Sequence, residues 1–175
     1  MSDTVIIRTV EQRDLPAIQR IYEDQVLNGV SSWEEEPPSL EEMTNRCNSI
    51  LEGGFPYLVA TEGDRLLGYA YASSYRARIG YRYVVENSVY VDKETRGKGV
   101  GRLLMDTLIK DCTARGFRQM IAVIGSSDNS ASLDFHERMG FERVGLLPSI
   151  GFKFGRWMDS VIMQISLGDG DKTLP

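Results

Sequence analysis

Apolar residues recur along this chain at two spacings, and each change of spacing marks an element. Val5, Ile6, Ile7 and Arg8 are short and β-branched and predict a strand over 5–8. From Asp14 onward, Leu15, Ile18, Ile21, Tyr22 and Val26 repeat every three or four residues, the period of a helix with one buried face. Asp14 is placed to cap that helix, Pro16 is tolerated in its first turn, and Asn28-Gly29 ends it. A loop over 31–38 closes on Pro37-Pro38. Ser39 and Glu42 then form a capping-box pattern ahead of a second helix. Its expected buried positions are Leu40, Met43, Cys47, Ile50 and Leu51, and Gly53-Gly54 stops it. Residues 57–60 and 66–74 read as a hairpin turning at Glu62, Gly63 and Asp64.

A loop rich in tyrosine and arginine, 75–83, leads into a long strand over 84–91. Glu86, Asn87 and Ser88 interrupt its apolar run, a break that suggests a bulge or a site. The glycine-rich stretch 96–101 opens a third helix with Leu103, Leu104, Leu108 and Cys112 on its expected inner face, ending at Arg115-Gly116. Residues 120–124 are apolar throughout and predict a buried, central strand. A short helix over 129–139 and strands over 141–147 and 157–167 complete the pattern. The order strand, two helices, strands, helix, strand, helix, strands predicts one α/β unit, a mixed sheet with helices on both faces. The domain is expected over 1–167, with 168–175 a flexible solvated tail.

Composition narrows the classes. A length of 175 residues suits one domain with its own core. The net charge of −5 argues against a nucleic-acid partner, which needs a clustered basic surface. No apolar stretch approaches the ~20 residues that span a bilayer. The opening Met1-Ser2-Asp3-Thr4 lacks the layout of a signal peptide, which points to a cytoplasmic protein. A single histidine, His136, and two cysteines without ligand spacing make a metal site unexpected.

The most informative chemistry lies in residues 96–101. Gly97, Gly99 and Gly101 alternate between a strand end and an amphipathic helix. Glycine permits positive φ and close approach of the backbone, and a helix N-terminus presents unpaired N–H groups. Together they make a seat for phosphate, with Arg96 and Lys98 adding positive charge. The alternative is a merely tight turn. The Walker pattern Gly-x-x-x-x-Gly-Lys-Ser/Thr is absent, and the dinucleotide spacing Gly-x-Gly-x-x-Gly fails because position 102 is arginine.

Arg96-x-x-Gly99-x-Gly101 after an apolar strand resembles the pyrophosphate-binding motif of the GNAT superfamily of N-acetyltransferases. The segment from Asn129 through His136 to Gly140-Phe141 resembles that superfamily's second motif. Tyr75-Arg76, Arg78, Tyr81-Arg82, residues 85–91 and Lys153 to Trp157 look like its phosphinothricin and methionine sulfoximine acetyltransferase branch, as do Trp33 and Pro37-Pro38. The resemblance implies an acyl-CoA N-acyltransferase fold whose mostly antiparallel sheet splays between strands 84–91 and 120–124. It implies acetyl-CoA as donor, a small amine as acceptor and a homodimer. The pantetheine arm would pair with the backbone of Val89 and Val91. The amides of Gly97, Lys98, Gly99, Val100, Gly101 and Arg102 would hold the pyrophosphate, and an N–H near Val89 or Tyr90 would polarise the thioester carbonyl.

Individual side chains carry paired readings. Glu86 is the candidate base for the amine, or else an outward residue paired with an arginine. His136 stands where many family members have tyrosine. It is a candidate acid for the departing thiolate, or a packed imidazole. Asn129 caps its helix, contacts the cofactor arm, or both. Arg76 and Arg78, with Tyr75, are placed to meet carboxylate or phosphinate oxygens, or form a solvated loop. Trp33 walls the pocket or belongs to the core, while Phe154 and Trp157 line the pocket mouth or a dimer contact, or pack in the core, the default for such aromatics. The rival functions are acetylation of a peptide N-terminus, polyamine or aminoglycoside, a non-catalytic acyl-CoA-binding module, or a structural interaction domain. Arg76 and Arg78 disfavour a cationic acceptor.

Overall fold

A computed structural model describes residues 4–175; the first three residues, read above for a leader, lie outside it. Seven strands and four helices follow the predicted order. β1 is Ile6–Thr9, α1 Leu15–Asn28, α2 Leu40–Glu52, β2 Tyr57–Glu62 and β3 Arg65–Ser74. They are followed by β4 (Val84–Val91), α3 (Val100–Ala114), β5 (Gln119–Gly125), α4 (Ser130–Arg138), β6 (Glu142–Lys153) and β7 (Arg156–Ser166). The strands form one sheet in the order β1-β2-β3-β4-β5-β7-β6. Every neighbouring pair is antiparallel except β4 and β5.

Strand alternation divides the core between the two faces of this sheet. Leu58 and Ala60 of β2 pack with Leu104, Met105, Leu108 and Cys112 of α3 and Leu133 of α4. Their neighbours Tyr57 and Val59 point the other way, onto Ile18, Tyr22 and Val26 of α1 and Met43 and Cys47 of α2. All five predicted apolar positions of α1 are buried.

Several local expectations are corrected. Asp14 precedes α1, but its side chain makes no cap; its carboxylate accepts from Arg8 (2.7 and 2.8 Å) and from the Glu11 N–H. In α2 only a narrow stripe is covered, so Leu40 and Leu51, on its flank in the end turns, are exposed at 44% and 38%. In α3 Leu103 is exposed, because 100° per residue turns it away from the stripe of Val100, Leu104, Leu108 and Cys112. β5 is interior to the sheet, yet its Val123 is exposed. β4 has no bulge against β3, with which it pairs in unbroken register; the irregularities fall at Ala60/Thr61 in β2 and at Arg143/Gly145 and Leu147/Gly151 in β6. β6 runs on to Lys153, through Pro148, so the last hairpin is longer than its apolar pattern suggests. Residues 168–175 are mostly exposed, and Arg118 donates to the carbonyl of Leu174 (3.0 Å) and to Thr173 (3.1 Å).

Candidate active site

The site begins where two strands part. β4 and β5 pair at Val84–Gln119, Val85–Met120 and Glu86–Ile121 and no further. Beyond Glu86 the strands diverge, and the gap is lined by Asn87, Val89, Ile124, Gly125, Asn129 and His136. Backbone alternation decides which amides face it. The Asp92 N–H donates to Leu67 of β3 (2.9 Å), so the amides of Tyr90 and Ser88 share that direction. Those of Val89 and Val91 point into the gap. Of the two amides proposed from sequence to polarise a carbonyl, Val89 therefore faces the fork, whereas Tyr90 serves the sheet and packs its ring beside Tyr22 and Tyr69.

At the mouth of this fork lies the glycine turn. Gly97 and Gly99 have φ of +77° and +82°, and a Cβ on either would meet nothing within 4 Å. Here glycine is demanded by backbone conformation, and the open space leaves room for a ligand at the backbone. Gly99 is the N-cap of α3 and supplies no capping side chain, so the first N–H groups of a 15-residue helix are offered outward. Arg96, Lys98 and Arg102 are exposed around it. Val100 is buried in the core, leaving its backbone alone for the turn. Gly101 packs against Phe135 of α4. The Lys98 N–H donates to the Thr95 carbonyl (3.4 Å), and the other amides of the turn, ringed by cations, fit a pyrophosphate, while the unpaired edge of β4 fits an amide-bearing arm.

Glu86 faces the α1/α2 side of the sheet, opposite to Asn87. It is half-buried, and burial raises its pKa above the ordinary value. Around it the Tyr71 phenol lies beside Ser88, and Tyr57, Tyr69, Tyr71 and Tyr90 stack in series. The loop after α1 closes this side. Ser32 bonds the Tyr22 hydroxyl (2.9 Å), and Glu34 accepts from Tyr22 (3.1 Å) and Arg46 (2.7 Å). Trp33 lies over Gly125 and Gly151, where a Cβ on either would overlap the indole. Lys153, 2% exposed, donates to the carbonyls of Gly29 (3.0 Å) and Ser32 (2.6 Å), tying the loop to the β6–β7 hairpin. Trp33 is thus packed between this loop, the end of β5 and the hairpin.

Arg76 and Arg78 are exposed on the 75–83 loop, between β3 and β4. Arg76 stacks on Tyr75 and Tyr81, 5.2 and 5.8 Å from the ring centroids. Arg78 precedes a short 3-10 turn. Phe154 and Trp157 are 55% and 67% exposed, which rules out core packing for them within one chain. They sit at the tip of a hairpin that projects from the sheet.

On the cofactor side, His136 is buried between the rings of Phe135 and Phe141, and burial lowers its pKa. Its Nδ1 lies 2.8 Å from the Ser132 carbonyl and its Nε2 3.1 Å from Nδ2 of Asn87. Asn129 caps α4, accepting from Ser132 (3.4 Å), while its amide reaches the Gly125 carbonyl (3.5 Å) at the end of β5. Cys47 and Cys112 are buried, with thiols pushed up to about 11 and about 12, so both are protonated at neutral pH. Among the described residues no group of three or more His, Cys, Asp or Glu side chains is placed to hold a metal. Sequence reading missed Lys153 as a clamp and Asn87 as a partner of His136. Both are polar interruptions of apolar strands, which is the only local signal they give.

The sequence profile described as "Acetyltransferase (GNAT) domain" matches residues 7–162. The chain is 51% identical to the phosphinothricin N-acetyltransferase of Alcaligenes faecalis, over 97% of this chain and 86% of that one. It is 41% identical to the L-methionine sulfoximine/L-methionine sulfone acetyltransferase of Pseudomonas paraeruginosa, over 92% and 94%. The crystal structure of a phosphinothricin acetyltransferase from Sinorhizobium meliloti in complex with AcCoA superposes with a TM-score of 0.94. It shares 47% identity and covers 98% of this chain and 93% of that one.

Proposed function

Because the chain belongs to the acetyltransferase (GNAT) family and is an acetyl-CoA-dependent N-acetyltransferase, we propose that it acetylates the amino group of a small amino acid or amino-acid analogue, of the phosphinothricin, methionine sulfoximine or methionine sulfone kind. The observation that carries this reading is the position of Glu86, a half-buried carboxylate at the last paired residue before the sheet forks.

Acetyl-CoA, when bound, supplies a thioester carbonyl activated for acyl transfer. The chain's residues supply the rest. The turn from Arg96 to Arg102 seats the pyrophosphate on the N-terminus of α3. Val89 and Val91 offer free backbone groups as an added-strand edge, and the Val89 amide is aimed to polarise the carbonyl. Glu86 takes the proton from the incoming ammonium, whose pKa near 8 leaves it largely protonated at pH 7. Asn129 holds the end of β5 at the fork. His136 lies on the cofactor side of the cleft, buried with Nε2 3.1 Å from Nδ2 of Asn87, which favours a packed imidazole over an acid for the departing thiolate. Tyr75, Arg76 and Arg78 meet the acidic end of the acceptor when their loop folds over it, and Trp33 walls the other side. Attack is direct, with no acyl-enzyme, in keeping with the two protonated thiols.

The apolar residues exposed on β6 and β7 support a homodimer, and two free thiols and dependence on acetyl-CoA fit a cytoplasmic setting. The test is a thiol-release assay with acetyl-CoA against phosphinothricin, methionine sulfoximine, methionine sulfone, the standard amino acids, a polyamine, an aminoglycoside and a short peptide. Release fastest with one of the first three is expected. Faster release with the peptide or the cationic amines would overturn the acceptor assignment.

A further inference from the structure

Four polar facts meet at Asn87. The Ser132 carbonyl can only accept, so Nδ1 of His136 carries a proton. A second proton, on Nε2, would create an imidazolium 3% exposed between two phenyl rings, which burial opposes. Nε2 therefore keeps its lone pair, and Asn87 must turn its NH2 toward it. That choice leaves the Asn87 carboxamide oxygen over. It is buried without a partner, on a residue 7% exposed that lines the fork between β4 and β5.

A buried acceptor with no donor is costly, and native structures place few of them. The position of this one selects its donor. Asn87 lies on the sheet face opposite to Glu86, so the acceptor amine does not reach it. It lies on the unpaired stretch of β4, two residues before Val89. The molecule that belongs there carries two amide N–H groups along its pantetheine arm. We propose that Asn87 is a positioning residue with two jobs: its NH2 holds His136 as the neutral Nδ1–H tautomer, and its oxygen accepts a hydrogen bond from a pantetheine amide. This rests on acetyl-CoA as donor and is independent of which amine is acetylated.

His136 is the only histidine in the chain, so its ring nitrogens can be observed without assignment ambiguity. In nitrogen-15 spectra of the full-length protein at pH 7, Nδ1 is expected to carry the proton and Nε2 to show the shift of a hydrogen-bonded lone pair. A neutral ring protonated at Nε2 overturns the proposal with no variant needed. Titration calorimetry with acetyl-CoA alone then reads the second job. Asn87→Leu should weaken binding by about five- to tenfold, the worth of one neutral hydrogen bond. Asn87→Asp retains an acceptor oxygen and should restore most of that affinity, but its carboxylate cannot donate to Nε2 and should draw a proton onto it. Unchanged affinity in Asn87→Leu overturns the cofactor contact. Because no acceptor is present in either measurement, a wrong acceptor assignment leaves both results intact.

Discussion

Glu86 works against the stability of the protein that contains it. Burial raises its pKa above the usual 4.5, so the folded state holds this proton more tightly than the unfolded chain does. The stabilisation linked to that proton is fully present below about 4.5 and is lost as pH rises through the raised value. At pH 7 the ionised carboxylate therefore opposes folding, which is consistent with the proposed role as base. Glu86→Gln should lower kcat at pH 7 by about a hundredfold, with the loss easing as pH approaches the pKa of the amine. It should also raise the melting temperature at pH 7, and that gain should shrink as pH falls toward the ordinary carboxylate range. An unchanged kcat would remove Glu86 as the base. Its polarity within an apolar strand was legible in the sequence. The family resemblance placed a splay along its strand, but that Glu86 is the last paired residue was not legible, because it depends on where pairing with β5 stops.

At the scale of elements, the wall on the Glu86 side is assembled from two segments more than a hundred residues apart. Lys153 binds the loop after α1 through two backbone carbonyls, one of them at the helix C-cap, where a cation is favourably placed. Trp33 fits because positions 125 and 151 lack a Cβ. Gly151→Ala should cost about 1–3 kcal/mol in urea unfolding, the usual penalty of overpacking. Adding Trp33→Ala should recover part of that loss, and strict additivity of the two changes would refute the contact. Helix faces were legible where the period is clean, as in α1. They were misread where an apolar side chain merely neighbours the stripe, as with Leu103, or lies at its end, as with Leu40 and Leu51.

On the scale of the whole molecule, one edge of the sheet is unlike the rest. Val144, Leu146, Ile150, Phe152, Phe154 and Trp157 are each more than half exposed along β6 and the start of β7. β6 is an edge strand, and an apolar edge invites pairing with another chain unless it is covered. Sedimentation of the wild type should therefore give twice the 19.7 kDa chain mass. Leu146→Glu should shift it toward a single chain, because the substitution places a charge in the apolar patch. A wild type sedimenting at the single-chain mass would refute the homodimer.

By itself the sequence determined the order of elements, the α/β class, the glycine turn and the family, because each is written in short-range periodicity or in a motif of fixed spacing. Tertiary structure alone decided that β4 and β5 separate after Glu86 and Ile121. It also decided that Asn87 meets His136 across 49 positions, and that Lys153 reaches Gly29 across 124. Local periodicity reports which face of an element is buried and carries no record of what lies on the other side of the contact. Those partners are set only when distant segments pack, so the chemistry at the fork became visible once the sheet had formed.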